Sequence, residues 1–147
     1  MKRFLKVVII ILVPILLCSC SLSERYAHED IRKYMWIPER TCDDFYKINS
    51  FTDGVCVWRF ELKKKDIEEL EKSDKFRDLS DEDIQNIEYN VFYEGIPEWW
   101  GLSENRVFYM YAPYIDKECT DTSFLGSRYY IYIWDMDANT YFCVDWY

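Results

Sequence analysis

Few residues of this 147-residue chain stand at spacings that could do chemistry, and each also has a simpler use. Asp135, Asp137 and Asn139 put a side-chain oxygen at every second position, as a calcium-binding loop does. The sixth position is Thr140, where that loop needs glycine, and the twelfth is Trp146, where it needs a bidentate glutamate. Asp and Asn in a short run also make turns, so the segment is read as a hairpin turn and not a metal site. Glu94 and Glu98 offer the two carboxylates of glycoside cleavage, but that reaction needs one of them enclosed so that it stays protonated. With 27 acidic residues in the chain, such pairs arise without a purpose. His28 is the only histidine and has no serine or cysteine beside it in a nucleophile context, so it is read as solvated. Lys63, Lys64 and Lys65 have no glycine-rich loop to make a phosphate cradle and read as a solvated edge. Trp99 and Trp100 could form an aromatic platform for a sugar or peptide, or staple their loop to the core. The expectation is a protein without catalytic residues, cofactor or metal, and not an enzyme.

The N-terminus is more specific. Lys2, Arg3 and Lys6 precede an apolar run from Val7 to Leu17, broken only by Pro14, and the run ends in Leu17-Cys18-Ser19-Cys20. Charged, apolar and small-residue regions in that order make a secretory signal. The run is shorter than the ~20 residues a membrane-spanning helix needs. The segment resembles the signal of bacterial lipoproteins, in which a small residue precedes an invariant cysteine. The resemblance implies cleavage before Cys20 and acylation of Cys20 with palmitate-type chains. It implies a membrane-anchored protein of the cell envelope. Ser21 is not the aspartate associated with inner-membrane retention, so in a cell with two membranes the outer one is expected, facing the periplasm. The implied organisation is a signal peptide over 1–19, a tether over 20–40 and one domain over 41–147.

Export bears on the remaining cysteines. Cys42, Cys56, Cys119 and Cys143 are an even number without a Cys-x-x-Cys pair, and two disulfides are expected in an oxidising compartment. Three connectivities exist. Cys56 and Cys143 fall in different side-chain sets of their strands, which favours Cys42–Cys56 with Cys119–Cys143.

The elements follow from hydrophobic periodicity. Ala27 to Met35 has the spacing of a short helix that Pro38 would stop. Val55–Leu62 alternates, with Cys56, Trp58, Phe60 and Leu62 on one side. Asp66 and Glu69 are spaced as a capping box ahead of Ile67 and Leu70, and Ser80 with Asp83 caps a second helix over about 81–90. Leu79 and Ile84 are placed as its hydrophobic staple. Strands are expected over 106–112, 127–134 and 140–147, the last two forming a hairpin. The predicted fold is α+β, an antiparallel sheet of about four strands with two helices on one face, in the order β-α-α-β-β-β. If helices cover one face, the other exposes Tyr130, Tyr132 and Trp134. Together with Trp99 and Trp100, these are the expected binding surface.

Removing residues 1–19 leaves 15 Lys and Arg against 27 Asp and Glu, a net charge of −12. Such a body repels nucleic acid and anionic lipid headgroups and attracts basic proteins. The functional expectation is a small envelope binding protein, in one form an inhibitor or immunity protein for a basic secreted protein. The alternative is a structural, accessory envelope lipoprotein without a discrete ligand.

Overall fold

The computed structural model describes residues 24–49, 54–120, 122 and 128–147. The expected signal peptide and Cys20 lie outside them, as does Ser127. Seven strands form one sheet: β1 (Asp44–Asn49), β2 (Gly54–Glu61), β3 (Arg77–Asp78), β4 (Arg106–Ala112), β5 (Lys117–Cys119), β6 (Tyr129–Asp135) and β7 (Thr140–Trp146). Two α-helices, α1 (Lys64–Leu70) and α2 (Asp81–Val91), and a 3-10 turn, Ile31–Lys33, complete the described elements. The strand order is β1-β2-β7-β6-β4-β3, with β5 also on β4, and every pairing is antiparallel. The mixed α/β character and antiparallel sheet agree with expectation; four strands in a β-α-α-β-β-β order do not. The additional strands β1, β3 and β5 are edge pieces held mainly by pairing.

The centre of the sheet is the expected hairpin. Tyr130 pairs with Asp145, Tyr132 with Cys143 and Trp134 with Tyr141. Asn139 takes a left-handed φ of 50°, which asparagine tolerates, and lets the turn close. Gly54 is needed where β2 meets the chain end. It exchanges backbone hydrogen bonds with Tyr147 at 2.5 and 2.8 Å, and a Cβ there would stand 2.5 Å from the Tyr147 ring.

Period-two alternation splits the core in two. Val55, Val57, Ile131, Ile133, Phe142 and Val144 face one side, where Ile87 and Val91 of α2 cover them. Helix α2 begins as expected: the Asp83 backbone N–H donates to Ser80 Oγ (3.1 Å), and Ser80 N–H donates to Asp83 Oδ2 (3.2 Å). Leu79 and Ile84 both join the same apolar cluster. Helix α1 starts one turn earlier than expected, with Asp66 Oδ2 accepting from the Lys63 N–H at 2.9 Å.

Cys56, Trp58, Phe60, Tyr132, Tyr141 and Cys143 face the other side. Leu70 of α1 and Phe76 pack there, so the helices lie on opposite faces and not on one. Most of that face is covered by the segment expected to be a tether. Ala27, Ile31, Met35 and Ile37 are buried against the sheet. The Tyr132 hydroxyl donates to the Ile31 carbonyl at 2.5 Å, and the Tyr141 hydroxyl to the Trp36 carbonyl at 3.1 Å. Tyr34 stacks on Tyr111 with ring centres 3.9 Å apart. Residues 24–40 are therefore a strap built into the domain. A 3-10 turn replaces the predicted short helix because the strap must follow a sheet face and satisfy its own carbonyls from tyrosine tips.

Candidate interaction surface

The residues singled out for binding are mostly interior. Tyr130, Tyr132 and Trp134 lie beneath the strap and Phe76, and Trp100 is buried in the opposite face. They cannot serve as an open surface, because the strap and α2 occupy both faces of the sheet. Trp100 donates its indole N–H to Glu88 Oε1 at 2.8 Å and sets its ring edge-on to Phe92 and Phe142, at 4.7 and 4.9 Å. Trp99 stacks parallel to Phe142 at 6.4 Å. The tryptophan pair staples its loop to the sheet.

Other candidates resolve in the same way. The Asp135 carboxylate accepts from Ser103 N–H (2.7 Å), Ser103 Oγ (2.5 Å) and Ala138 N–H (2.9 Å). Its oxygens organise the hairpin turn and the 101–105 loop. Glu94 and Glu98 are both exposed, without the enclosure a general acid needs. Lys63 to Lys65 open α1, beside the Arg40–Asp66 ion pair (3.1 Å).

Cys119 does not sit where the Cys119–Cys143 half of the preferred pairing requires. Cys42, Cys56 and Cys143 are buried thiols of one cluster, whereas Cys119 packs against the cluster on the other side of the sheet. Cys119 pairs with Met110 on β4, and β6 separates β4 from the strand that carries Cys143. A Cys119–Cys143 bridge would have to pass through the sheet. Cys56 and Cys143 share a face after all, because Cys56 is opposite Asp145 and Trp58 opposite Cys143. That diagonal spacing, about 7–8 Å, exceeds disulfide reach. Burial pushes the Cys56 thiol up to about 11 and that of Cys143 well above the ordinary value. Their apolar surroundings disfavour the thiolate that a nucleophile needs.

One polar group escaped sequence reasoning. Asp145 is 1% exposed, in a row of side chains that runs from Cys56 through Asp145 to Tyr130. His28 Nδ1 lies 3.4 Å from its Oδ2, and Arg128 Nε 3.6 Å from its Oδ1, which has no hydrogen-bond partner among the described residues. The His28 ring meets Trp58 edge-on at 4.8 Å. His28 is exposed, as expected, and its ring edge also bridges the strap to Asp145 of the last strand. The available signal was an aspartate within an otherwise apolar or aromatic strand, where aspartate is disfavoured.

Among the described residues, Tyr114 and Ile115 are exposed in the turn after β4, and a wider open surface lies at the C-terminal end of α2. Tyr89 is 82%, Tyr93 50% and Ile96 52% exposed. They border a shallow hollow of about 920 Å³, together with Gln85, Glu88 and Glu94. Phe92 points inward between them and packs edge-on against Tyr46 at 5.1 Å. The Tyr46 hydroxyl is buried without a hydrogen-bond partner among the described residues. Burial first, then the neighbouring Glu94 and Tyr93, raise its pKa above the ordinary tyrosine value. Gly95, at φ 131°, turns the chain from the helix into the 96–100 loop, a conformation that favours glycine. From Asp78 to Asn105 the chain carries eight acidic residues and no lysine, arginine or histidine. The sequence did hold a signal for this ledge: Gln85, Tyr89 and Tyr93 recur every four residues, away from the buried stripe of Ile87 and Val91.

Among the described residues, no helix is long and apolar enough to cross a membrane. The chain matches no protein family, no curated protein and no solved structure.

Proposed function

We propose that the chain is a membrane-anchored bacterial lipoprotein whose body works as a small envelope binding protein, in its concrete form an inhibitor or immunity protein for a basic secreted protein. The observation that carries the reading is the cation-free acidic stretch from Asp78 to Asn105, which forms α2 and the loop beyond it. A block of one charge speeds the capture of an oppositely charged protein and disfavours other acidic ones. The anchor would be Cys20, its acyl chains in the outer membrane and the body facing the periplasm where two membranes exist. The strap supports a close attachment. Trp58 Nε1 donates to the Glu24 carbonyl at 2.8 Å, and Glu24 stands four positions after Cys20, a span of chain that reaches at most ~14 Å. The body would ride beside the bilayer instead of on a long leash.

Intact-mass measurement of the native protein should find a chain that begins at an acylated Cys20. Capture from envelope extracts at low salt should recover a basic protein, and that recovery should fall in about 0.5 M salt, where the Debye length is only a few ångströms. A bare Cys20 thiol defeats the anchor. Recovery of no basic partner at any salt defeats the binding role.

A further inference from the structure

We propose that the Tyr89–Tyr93–Ile96 ledge is the docking surface for this basic partner, which lays an arginine or lysine side chain over the tyrosine rings beside Glu94. The proposal rests on the binding reading above and adds the place and the chemistry of contact. Elsewhere on the molecule, acids are partly neutralised by neighbours: Asp30 by Lys33 (2.5 Å), Glu24 by Lys47 (2.7 Å), Asp44 by Arg59 (2.5 Å) and Glu69 by Lys72 (2.7 Å). Within the same stretch Asp81, at the far end of α2, is paired with Arg106, whereas Glu94 at the ledge has no cation in its own stretch of chain and Glu88 spends a carboxylate oxygen on Trp100. Large apolar groups exposed together, rimmed by one sign of charge, mark an interaction site. Tyrosine faces flanked by carboxylates suit a guanidinium or ammonium, which gains ring attraction and a charge-assisted hydrogen bond together.

The ledge is also preformed. Phe92 and Trp100 anchor it from below and hold it against Phe142 of β7, so little ordering remains to be done on binding. Charge decides among occupants. A second copy of this chain would bring another −12 body, and nucleic acid or anionic lipid would bring like charge. A basic protein segment is complementary on both counts, charge and apolar contact.

The test uses the full chain in detergent and a labelled short peptide of alternating arginine and leucine as probe, with a glutamate–leucine peptide as its counterpart. The arginine peptide should bind and the glutamate peptide should not. Tyr89→Ala with Tyr93→Ala should weaken the arginine peptide about tenfold or more, as loss of aromatic anchors does. Glu94→Gln should weaken it severalfold and flatten its salt dependence. Glu29→Gln with Glu71→Gln, exposed acids on other parts of the molecule, should change it less than twofold. Circular dichroism confirms that the variants are folded; if the alanine pair is not, Tyr89→Ser alone and Glu94→Gln carry the comparison. Equal binding by the tyrosine variants overturns the proposal, as does equal weakening by the Glu29 and Glu71 variants. Phosphatidylcholine vesicles that shield the ledge from iodination when the peptide does not would overturn it in favour of a lipid surface. Envelope capture separates the two readings. A basic partner recovered equally by wild type and by the tyrosine variant sinks the ledge alone, whereas no partner for wild type sinks the binding role itself.

Discussion

The two faces of the sheet solve the same burial problem with different chemistry. On the α2 side, aliphatic strands meet an aliphatic helix stripe, and the helix satisfies its own backbone. On the strap side, irregular chain lies over a sheet of tyrosines, and its carbonyls need outside donors. Tyr132 and Tyr141 supply them to Ile31 and Trp36. A tyrosine-rich face is therefore no sign of an open surface. Its hydroxyls are what allow a non-helical segment to be buried at all, since an unpaired buried carbonyl is costly.

The contrast is most exposed at high pH. Burial holds Tyr132, Tyr141 and Cys143 well above their ordinary values and takes Tyr130 up to about 12. A folded-state pKa raised above the unfolded one contributes stability in full below the unfolded value and loses it as pH climbs toward the folded one. Stability should be level up to about pH 8, where unfolded cysteine begins to ionise, and then fall, most steeply through pH 10–12 as unfolded tyrosine follows. Urea midpoints across pH 7–12 measure this. A flat profile to pH 12 would mean the tyrosine face is open to water.

Next in size, Ile31→Ala in the strap and Ile87→Ala in α2 should each cost about 2–5 kcal/mol, because both side chains are fully buried. Urea unfolding at unchanged slope reads both. A cost under about 0.5 kcal/mol for Ile31→Ala alone would return residues 24–40 to the status of a loose tether. Tyr132→Phe should then cost about 1–3 kcal/mol by stranding the Ile31 carbonyl, with no change in side-chain packing. On the other face, Ser80→Ala should cost about 1 kcal/mol through loss of the α2 cap. Tyr89→Ala should change stability by no more than about 0.5 kcal/mol, since the residue stands clear of either core.

Legibility in the sequence followed local pattern. Strand β2 was readable from its alternation, β4, β6 and β7 from runs of aromatic and β-branched residues bounded by turn signals, and α2 because a capping box precedes an apolar stripe. Strands β1, β3 and β5 were not. Asp44–Asn49 mixes Asp44 and Lys47 with Phe45, and Arg77–Asp78 and Lys117–Cys119 are too short to show a period. They are strands because a neighbour offers unpaired backbone groups, which is a property of the partner. The ledge was half legible. Its tyrosines stand off the helix stripe in plain view, whereas the burial of Trp99 and Trp100 depends on Phe142, more than 40 positions away.

The sequence by itself determined the acidity of the chain, the central hairpin and the two sets of side chains that each strand presents. Those are matters of composition and of contacts between near neighbours, which spacing encodes directly. Only the tertiary structure decided what covers each set: that residues 24–40 close the tyrosine face, that His28 meets Asp145 117 positions away, and that Tyr89, Tyr93 and Ile96 are left outside. Coverage depends on which segments compete for a face once the sheet exists, and no local spacing records the outcome of that competition.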